Sequence, residues 1–190
     1  MTKLTATTDR RVLRTRRTLR DALIELIAQR GWDAISVSDV CERADVGRST
    51  FYTHFADKEE LLLSGFDDLH RMLRALHPAL PGSRPLAFAG PLIEHAGENL
   101  RIFRALVGKR SGHAMQKRFR QTVVSLVTED LAHFGLAETR LIGTAHYLAG
   151  AYLELLTWWI DSRTKLAASE LEQLFHQLTT PVIESLISAR

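Results

Sequence analysis

Hydrophobic residues recur every three or four positions along most of the chain, a spacing that predicts α-helices. In the first third of the chain this pattern predicts four helices: Thr15–Arg30, a helix that begins at Ser36, Arg48 to about Phe55, and a longer helix that begins at Asp57. The second and fourth helices each open with a capping box, in which side chains satisfy free N–H groups of the first turn. We expect the first eight residues to form a disordered, solvated tail.

A proline-rich linker at residues 77–85 ends the fourth helix, and the chain beyond it is helical again. The helices predicted there are 86–97, 100–107, a helix with an apolar stripe at 115–134 that follows a basic loop at 108–112, 138–161, and a last helix from Ser169. The helix at 138–161 is apolar on more than one face, so we expect it to be buried on two sides. One side can belong to the protein's own core and the other to a partner subunit. The residues expected at such a dimer interface are Tyr152, Leu155, Trp159, Leu174 and Leu178.

The composition is that of a globular protein with a sizeable core: 190 residues, of which 45% are hydrophobic and 25% charged. The formal net charge is only +3, yet seven basic residues stand against the single acidic Asp9 in the first twenty positions. A basic arm of this kind is typical of a protein that binds a polyanion. The single cysteine, Cys41, favours a reducing cytoplasm and is expected to be a small buried hydrophobe. No apolar run reaches membrane-spanning length, so we expect no membrane partner.

The short predicted helix at 48–55 has one apolar and one polar side. Phe51 and Phe55 fall together on a helical projection, and they must anchor the helix because so short a helix is unstable alone. The other side carries hydroxyl groups, an arginine and a tyrosine, supplied by Arg48, Ser49, Thr50, Tyr52 and Thr53. Such a surface suits insertion into a polar partner, and DNA is the leading candidate.

Three basic side chains lie at helix positions where a positive charge is unfavourable. Arg16 and Arg17 lie near the start of the first predicted helix and Lys58 in the first turn of the fourth, at the positive ends of the helix dipoles. A phosphate group at either place makes the positive charge favourable. We therefore expect these residues beside the DNA backbone, with a solvated surface lysine as the alternative for Lys58.

The second half of the chain leaves the presence of a ligand pocket open. Four aromatic residues there either line a pocket or fill a core: Phe103, Phe119, Tyr147 and Trp158. Glu154 is a carboxylate in an apolar stretch, so it needs a ligand cation, a facing arginine or water as its partner. Together with the four aromatic residues it makes up the candidate ligand-binding set.

The sequence lacks the motifs of enzymatic chemistry. It has no glycine-rich phosphate loop, no dinucleotide fingerprint and no Gly-x-Ser-x-Gly elbow, and its cysteine and histidines do not have zinc-ligand spacing. The eight histidines are scattered along the chain. We therefore expect no catalytic residues, no metal, no cofactor and no enzymatic activity.

From Ser36 to Leu62 the sequence resembles the TetR family of transcriptional regulators. The resemblance rests on the capped second helix, the turn Ala-Asp-Val-Gly at 44–47, the segment Arg-Ser-Thr-Phe-Tyr-Thr-His-Phe at 48–55, and Asp-Lys-Glu-Glu-Leu-Leu at 57–62. It extends over residues 15–66 in detail, and elsewhere only length and helical character agree. The resemblance implies an all-α fold, with a three-helix helix-turn-helix domain at 9–56 and a larger helical domain at 57–190 for dimerisation and effector binding.

The resemblance also implies roles for individual residues. Tyr52 and Lys58 match positions that contact the DNA backbone, and Arg48, Ser49 and Thr53 match positions that face bases or nearby phosphates. The complete set of expected DNA-contacting residues is Arg16, Arg17, Ser36, Ser38, Arg48, Ser49, Thr50, Tyr52, Thr53, His54 and Lys58.

Two positions in the turn depart from the family pattern. Asp45 stands where the family often has glycine, and Gly47 where it often has serine or threonine. Aspartate tolerates the left-handed conformation, so we expect the turn to be intact. The second departure removes a hydroxyl group that could have touched a phosphate.

From the resemblance we expect a cytoplasmic homodimer that binds a double-stranded DNA operator and regulates transcription. A repressor released by a small-molecule effector is favoured, with the fourth helix as the lever because it joins both domains. The alternatives are an effector-independent DNA-binding or scaffold dimer, and a ligand-dependent activator.

Overall fold

The structure, a computed structural model, describes residues 2–106, 113–162 and 164–188. The helices of these residues are α1 (Thr2–Arg30), α2 (Val37–Ala44), α3 (Arg48–His54), α4 (Lys58–Leu76), α5 (Ala89–Glu98), α6 (Leu100–Leu106), α7 (His113–Leu131), α8 (Glu138–Asp161) and α9 (Ala168–Ser188). No described segment is a β-strand, so the predicted all-α class is confirmed. The basic loop predicted at 108–112 lies outside the described residues.

The chain divides into two compact units, residues 1–68 and 69–190, and the division falls inside α4. The predicted boundary between the DNA-binding domain and the effector domain, between residues 56 and 57, stays a prediction. None of the described helices carries an apolar run long enough to cross a lipid bilayer.

The first unit is built on the apolar stripe of α1. α2 packs against α1, and α3 packs against both helices. The predicted stripe is buried, as expected, at Leu19, Ala22, Leu23, Leu26 and Ile27. Cys41 of α2 is buried in the same core, and burial raises the pKa of its thiol, which fits the predicted role of a small hydrophobe.

The start of α1 differs from the prediction. The helix begins at Thr2 rather than near Thr15, and it includes residues 2–8, which we expected to lie in a disordered tail. The segment 2–14 contains neither glycine nor proline. A helix nucleated by the buried stripe can therefore extend backwards at one hydrogen bond per residue, without a breaker to stop it.

In the second unit, α8 occupies the centre and begins and ends where predicted. It packs against α5, α6, α7 and α9, so its broad apolar surface is largely used inside this unit. Tyr152 of α8 is therefore a core residue and not the surface interface residue that we expected. Its hydroxyl donates to the carbonyl oxygen of Ala89 at 3.0 Å, and its ring packs edge-on against Phe88 and Phe175.

A charged cluster fixes the C-terminal part of α4 against α7. The Arg74 guanidinium donates to Glu129 Oε2 and Asp130 Oδ1, each at 2.6 Å, and to the carbonyl oxygen of Leu126. The other carboxylate oxygen of Asp130 accepts the N–H of Leu86 at 2.8 Å, and Leu86 has a positive φ of 59°. Burial raises the pKa of Asp130, while the charge of Arg74 opposes that rise. The cluster thus holds α4, the linker after it and α7 together.

Candidate nucleic-acid interface

The turn between α2 and α3 forms as the sequence predicts. The Ser36 hydroxyl accepts the N–H of Asp39 at 3.2 Å, and the Asp39 carboxylate accepts the N–H of Ser36 at 2.8 Å, which confirms the capping box. Hydrogen bonds from Ser36 and the nearby charge of Arg30 lower the pKa of Asp39. Asp45 ends α2 in the left-handed conformation, with φ 52° and ψ 46°, and Gly47 is the N-cap of α3.

The two sides of α3 separate into an anchor and an exposed surface. Phe51 is completely buried and Phe55, which caps the helix, is almost so, with their ring centres 5.9 Å apart. Tyr52 is 52% exposed, and its ring meets the edge of Phe51 at 5.5 Å. The polar side also exposes Arg48, Ser49, Thr50 and Thr53, whereas His54 is half-buried. Hydroxyl, guanidinium and phenol groups therefore face outward from a helix held by its phenylalanines.

Arg16 plays a structural part that the sequence did not reveal. Its Nη1 donates to the carbonyl oxygen of His54 at 3.3 Å, and its guanidinium carbon lies 4.4 Å from the centre of the Phe55 ring. A cation at the carbonyl end of α3 is favourable for that helix. Because α1 begins at Thr2, Arg16 is also mid-helix, beyond the first turn where the dipole acts. The expected unfavourable placement therefore does not exist, and Arg16 positions α3.

Arg17, the neighbour of Arg16, points away from the core. Its side chain is 82% exposed and lies 3.8 Å from the Asp21 carboxylate, one turn along α1. A pair this exposed contributes at most about 1 kcal/mol and is screened by salt. Arg17 is thus available to a partner, whereas Arg16 is already engaged.

Lys58 also has partners inside its own unit. Its Nζ donates to the carbonyl oxygens of Trp32, at 3.1 Å, and Ile35, at 2.8 Å, and lies 4.4 Å from the centre of the Trp32 ring. These contacts compensate for its place in the first turn of α4 and hold the loop that leads into α2. An ammonium group has three N–H donors, so one remains for a phosphate. The contact with Trp32 could not be predicted from the spacing of residues along a helix, because Trp32 lies 26 residues before the lysine.

Two further predicted contact residues, Ser36 and Ser38, are exposed at the start of α2. The hydroxyl of Ser36 is occupied by the capping box, since it also donates to the Asp39 carboxylate. A DNA contact through the Ser36 hydroxyl must therefore compete with its hydrogen bonds to Asp39, whereas the Ser38 hydroxyl takes no part in the capping box.

The five candidate ligand residues lie in three different places. Phe103 and Phe119 form a buried edge-to-face pair with ring centres 5.9 Å apart. Tyr147 is exposed on α8, and Glu154 and Trp158 line an open groove of about 410 Å³ between α8 and α9. Glu154 is exposed, so of the three expected partners water has access to its carboxylate.

A larger groove, of about 740 Å³, lies elsewhere in the second unit. Its walls come from α5, the start of α6 and the α8–α9 connection, with Glu94, Gly97, Glu98, Leu100, Trp159, Ile160, Ser162, Thr164, Leu166 and Ala168. Trp159 was expected at the dimer interface, but its indole N–H donates to the carbonyl oxygen of Leu166 at 2.9 Å. That bond turns the ring into this groove and ties it to the protein's own chain.

Known proteins match residues 19–64 in sequence and most of the chain in fold. Residues 19–64 match the family of bacterial regulatory proteins described as the tetR family. Over 55 residues the chain is 44% identical to the uncharacterized HTH-type transcriptional regulator YxbF of Bacillus subtilis (strain 168). That match covers 28% of this chain and 14% of YxbF, so the chain aligns with only a small part of that relative.

Two solved structures resemble nearly the whole chain. The TetR transcriptional regulator from Streptococcus agalactiae 2603V has a TM-score of 0.65 and 24% identity, over 92% of this chain and 98% of that one. FadR of Thermus thermophilus, a TetR-family transcriptional repressor in complex with lauroyl-CoA, has a TM-score of 0.55 and 21% identity, over 86% and 93%. Residues 19–64 therefore match the helix-turn-helix segment of the TetR family, and the chain shares the fold of solved TetR-family transcriptional regulators.

Proposed function

We propose that this protein is a homodimeric, sequence-specific DNA-binding repressor that a small-molecule effector releases from its operator. The observation that carries the DNA-binding part is the exposed polar side of α3, fixed to α1 and α2 by the buried Phe51. The major groove of B-DNA is about 12 Å wide and admits an α-helix. A helix that presents donors and acceptors outward and is rigidly anchored inward is suited to that groove.

Within α3 the residue types indicate separate roles. Arg48 can donate two hydrogen bonds to guanine O6 and N7, a contact that discriminates against other bases by about 1–3 kcal/mol. Tyr52 has a hydroxyl that reaches a phosphate while its ring stays against Phe51. Ser49 and Thr53 have short hydroxyl side chains that suit either a base edge or a phosphate.

The test is a fluorescence-anisotropy titration of the purified protein with duplex DNA from upstream of its own gene. We expect tighter binding to that duplex than to a shuffled duplex of equal composition, and affinity that falls with salt. Arg48→Ala should remove the preference between the two, whereas Arg140→Ala, an exposed arginine on α8, should leave it intact. Equal affinity of the wild type for both duplexes contradicts sequence-specific binding.

A second copy of this chain is the proposed partner of the α8–α9 surface. Large apolar side chains are exposed there on both helices, namely Tyr147, Trp158 and Leu178. The half-buried Leu155 and Leu174 border the same surface, so three of the five predicted interface residues remain candidates. A twofold dimer would place two α3 helices about 34–36 Å apart, the spacing of successive major grooves.

The groove of about 740 Å³ is the proposed effector site, because its volume falls in the range of about 300–1,000 Å³ that is typical of ligand pockets. Glu94 and Glu98 on its α5 wall favour an effector that carries a cationic or hydrogen-bond-donating group, and Trp159 offers an aromatic surface. An effector that binds better to the conformation with weak DNA affinity shifts the population toward release. α4 begins in the first unit and ends in the second, which makes it the proposed lever.

A thermal-shift screen of amphiphilic amines tests the effector site. Compounds that stabilise the protein should weaken its complex with DNA, and Glu94→Gln/Glu98→Gln should reduce that response. Glu138→Gln, an exposed carboxylate at the start of α8 that lines neither groove, is the control and should leave that response unchanged. If no compound alters DNA binding, an effector-independent dimer is favoured. If expression of a reporter gene under the bound upstream DNA falls when the gene for this protein is deleted, an activator is favoured.

A further inference from the structure

Five of the seven arginines of α1 form an inward pair and an outward row. Arg16 reaches the end of α3, and Arg20 forms a salt bridge with Asp68 of α4, so both charges are used within the first unit. Arg10, Arg14 and Arg17 are exposed and repeat at the i, i+4, i+7 spacing, which puts them on one side of the helix. We call these three residues the arginine row.

The arginine row is unfavourable for an isolated helix. Like charges three or four residues apart destabilise a helix by about 0.2–0.5 kcal/mol per pair. Within the described part of the chain, Arg17 forms a salt bridge with Asp21, and both side chains are largely exposed to solvent. The row thus concentrates positive charge on a solvent-facing surface, where a polyanion can neutralise it.

The position of the row relative to α3 follows from Arg16. Its hydrogen bond to the His54 carbonyl sets this part of α1 beside the C-terminal end of α3. Arg17 is the next residue, and Arg10 lies seven residues earlier, about 10.5 Å away at 1.5 Å per residue. The row therefore begins next to the proposed reading helix and runs away from it along α1.

We propose that the arginine row forms a second contact with duplex DNA, to the phosphate backbone beyond the bases that α3 reads. The assignment rests on the proposed function for the identity of the partner, and on the exposed guanidinium groups of the row for the contact itself. Guanidinium groups bind phosphate oxygens through paired, charge-assisted hydrogen bonds. Contacts of this kind hold and orient a protein on DNA without reading sequence.

The salt dependence of binding to a random-sequence 30-bp duplex tests this contact. Each phosphate contact contributes about 0.9 to the slope of log K against log salt concentration, so Arg10→Gln/Arg14→Gln/Arg17→Gln should flatten the slope by about 2.7 per protomer. Between 50 and 200 mM salt, the variant should then lose about 40-fold less affinity than the wild type. Glutamine is a good helix former, so α1 should stay folded, which circular dichroism verifies.

Two variants make the result specific to the row. Replacing the same three arginines by lysine keeps the charge and should keep the slope. Removing three exposed charges from the second unit, with Arg101→Gln/Arg140→Gln/Lys165→Gln, should also leave the slope unchanged. A row variant whose slope changes by less than about 0.5 overturns the proposal, since one lost contact already accounts for about 0.9. An equal change in the second-unit control also overturns it, because the effect is then one of net charge.

The same variants separate this proposal from the proposed function. The glutamine row variant should keep the preference for the upstream duplex over the shuffled one, because the row contacts no bases. A flattened slope with no sequence preference in the wild type supports the row and contradicts sequence-specific regulation. Loss of binding to anionic phospholipid vesicles, with duplex binding unchanged, overturns the row's assignment to DNA.

Discussion

Phe51 and Tyr52 are neighbours in α3 with opposite environments, so replacing each by alanine separates the anchor of the helix from its contact surface. Phe51 is fully buried, and truncation of a buried phenylalanine costs about 3–5 kcal/mol. The seven-residue α3 has no stability of its own, so this loss falls on the packing of the first unit. Tyr52 is half exposed, and Tyr52→Ala should cost about 1 kcal/mol through the lost edge contact with Phe51.

Urea unfolding followed by Trp32 fluorescence measures this difference. Trp32 is the tryptophan of the first unit, and a Trp158→Phe/Trp159→Phe background makes it the sole reporter. Urea slopes of small proteins are about 1–3 kcal/mol per M, so a loss of 3 kcal/mol lowers the midpoint by about 1–3 M. Phe51→Ala should show that shift and lose DNA binding with it. Tyr52→Ala should shift the midpoint by less than about 1 M and still weaken DNA binding.

The reasoning fails if both variants shift the midpoint equally, because α3 would then not depend on its apolar side. It also fails if Tyr52→Ala binds DNA as tightly as the wild type. Phe51→Leu is the conservative control, and it should retain most of the stability and the DNA affinity, since it fills most of the same volume.

Three further predictions concern the second unit. Arg74→Leu leaves the buried Asp130 without its cation and should lower the free energy of unfolding by about 3 kcal/mol, measured by thermal unfolding; an unchanged Tm contradicts this. Burial lowers the pKa of His176 below 6.5, so the unfolded chain takes up the proton first and the wild type should lose stability as the pH falls below 6.5. His176→Gln should flatten that decline in urea titrations at different pH, and an unaltered profile counts against it. Leu178→Glu should yield monomers in analytical ultracentrifugation, while Leu80→Glu, an equally exposed control in the linker, should not.

The sequence was sufficient wherever local chemistry decides the structure. The apolar stripe of α1, the capping box of Ser36 and the left-handed Asp45 were all predicted and are all present. α8 begins and ends at the predicted residues Glu138 and Asp161. These features depend on spacing within a few residues, which the pattern of side chains determines.

The errors arose where distant parts of the chain meet. Arg16 and Lys58 were interpreted from their places on their own helices, but each donates to carbonyl oxygens of another segment. Tyr152 and Glu154 are only two residues apart on α8, yet one lies in the core and the other in water. For a helix that is apolar around most of its circumference, periodicity does not determine which side meets which neighbour.

Selection of binding sequences from a random pool of duplexes tests the central claim, that α3 reads DNA. The wild-type protein should enrich a twofold symmetric site whose half-sites lie about 10–10.5 bp apart, or a multiple of that distance. Arg48→Ala should enrich the same site with the base preference lost at one position of each half-site. A pool that shows no enriched sequence after selection with the wild type, under salt conditions where the protein binds duplex DNA, contradicts the account.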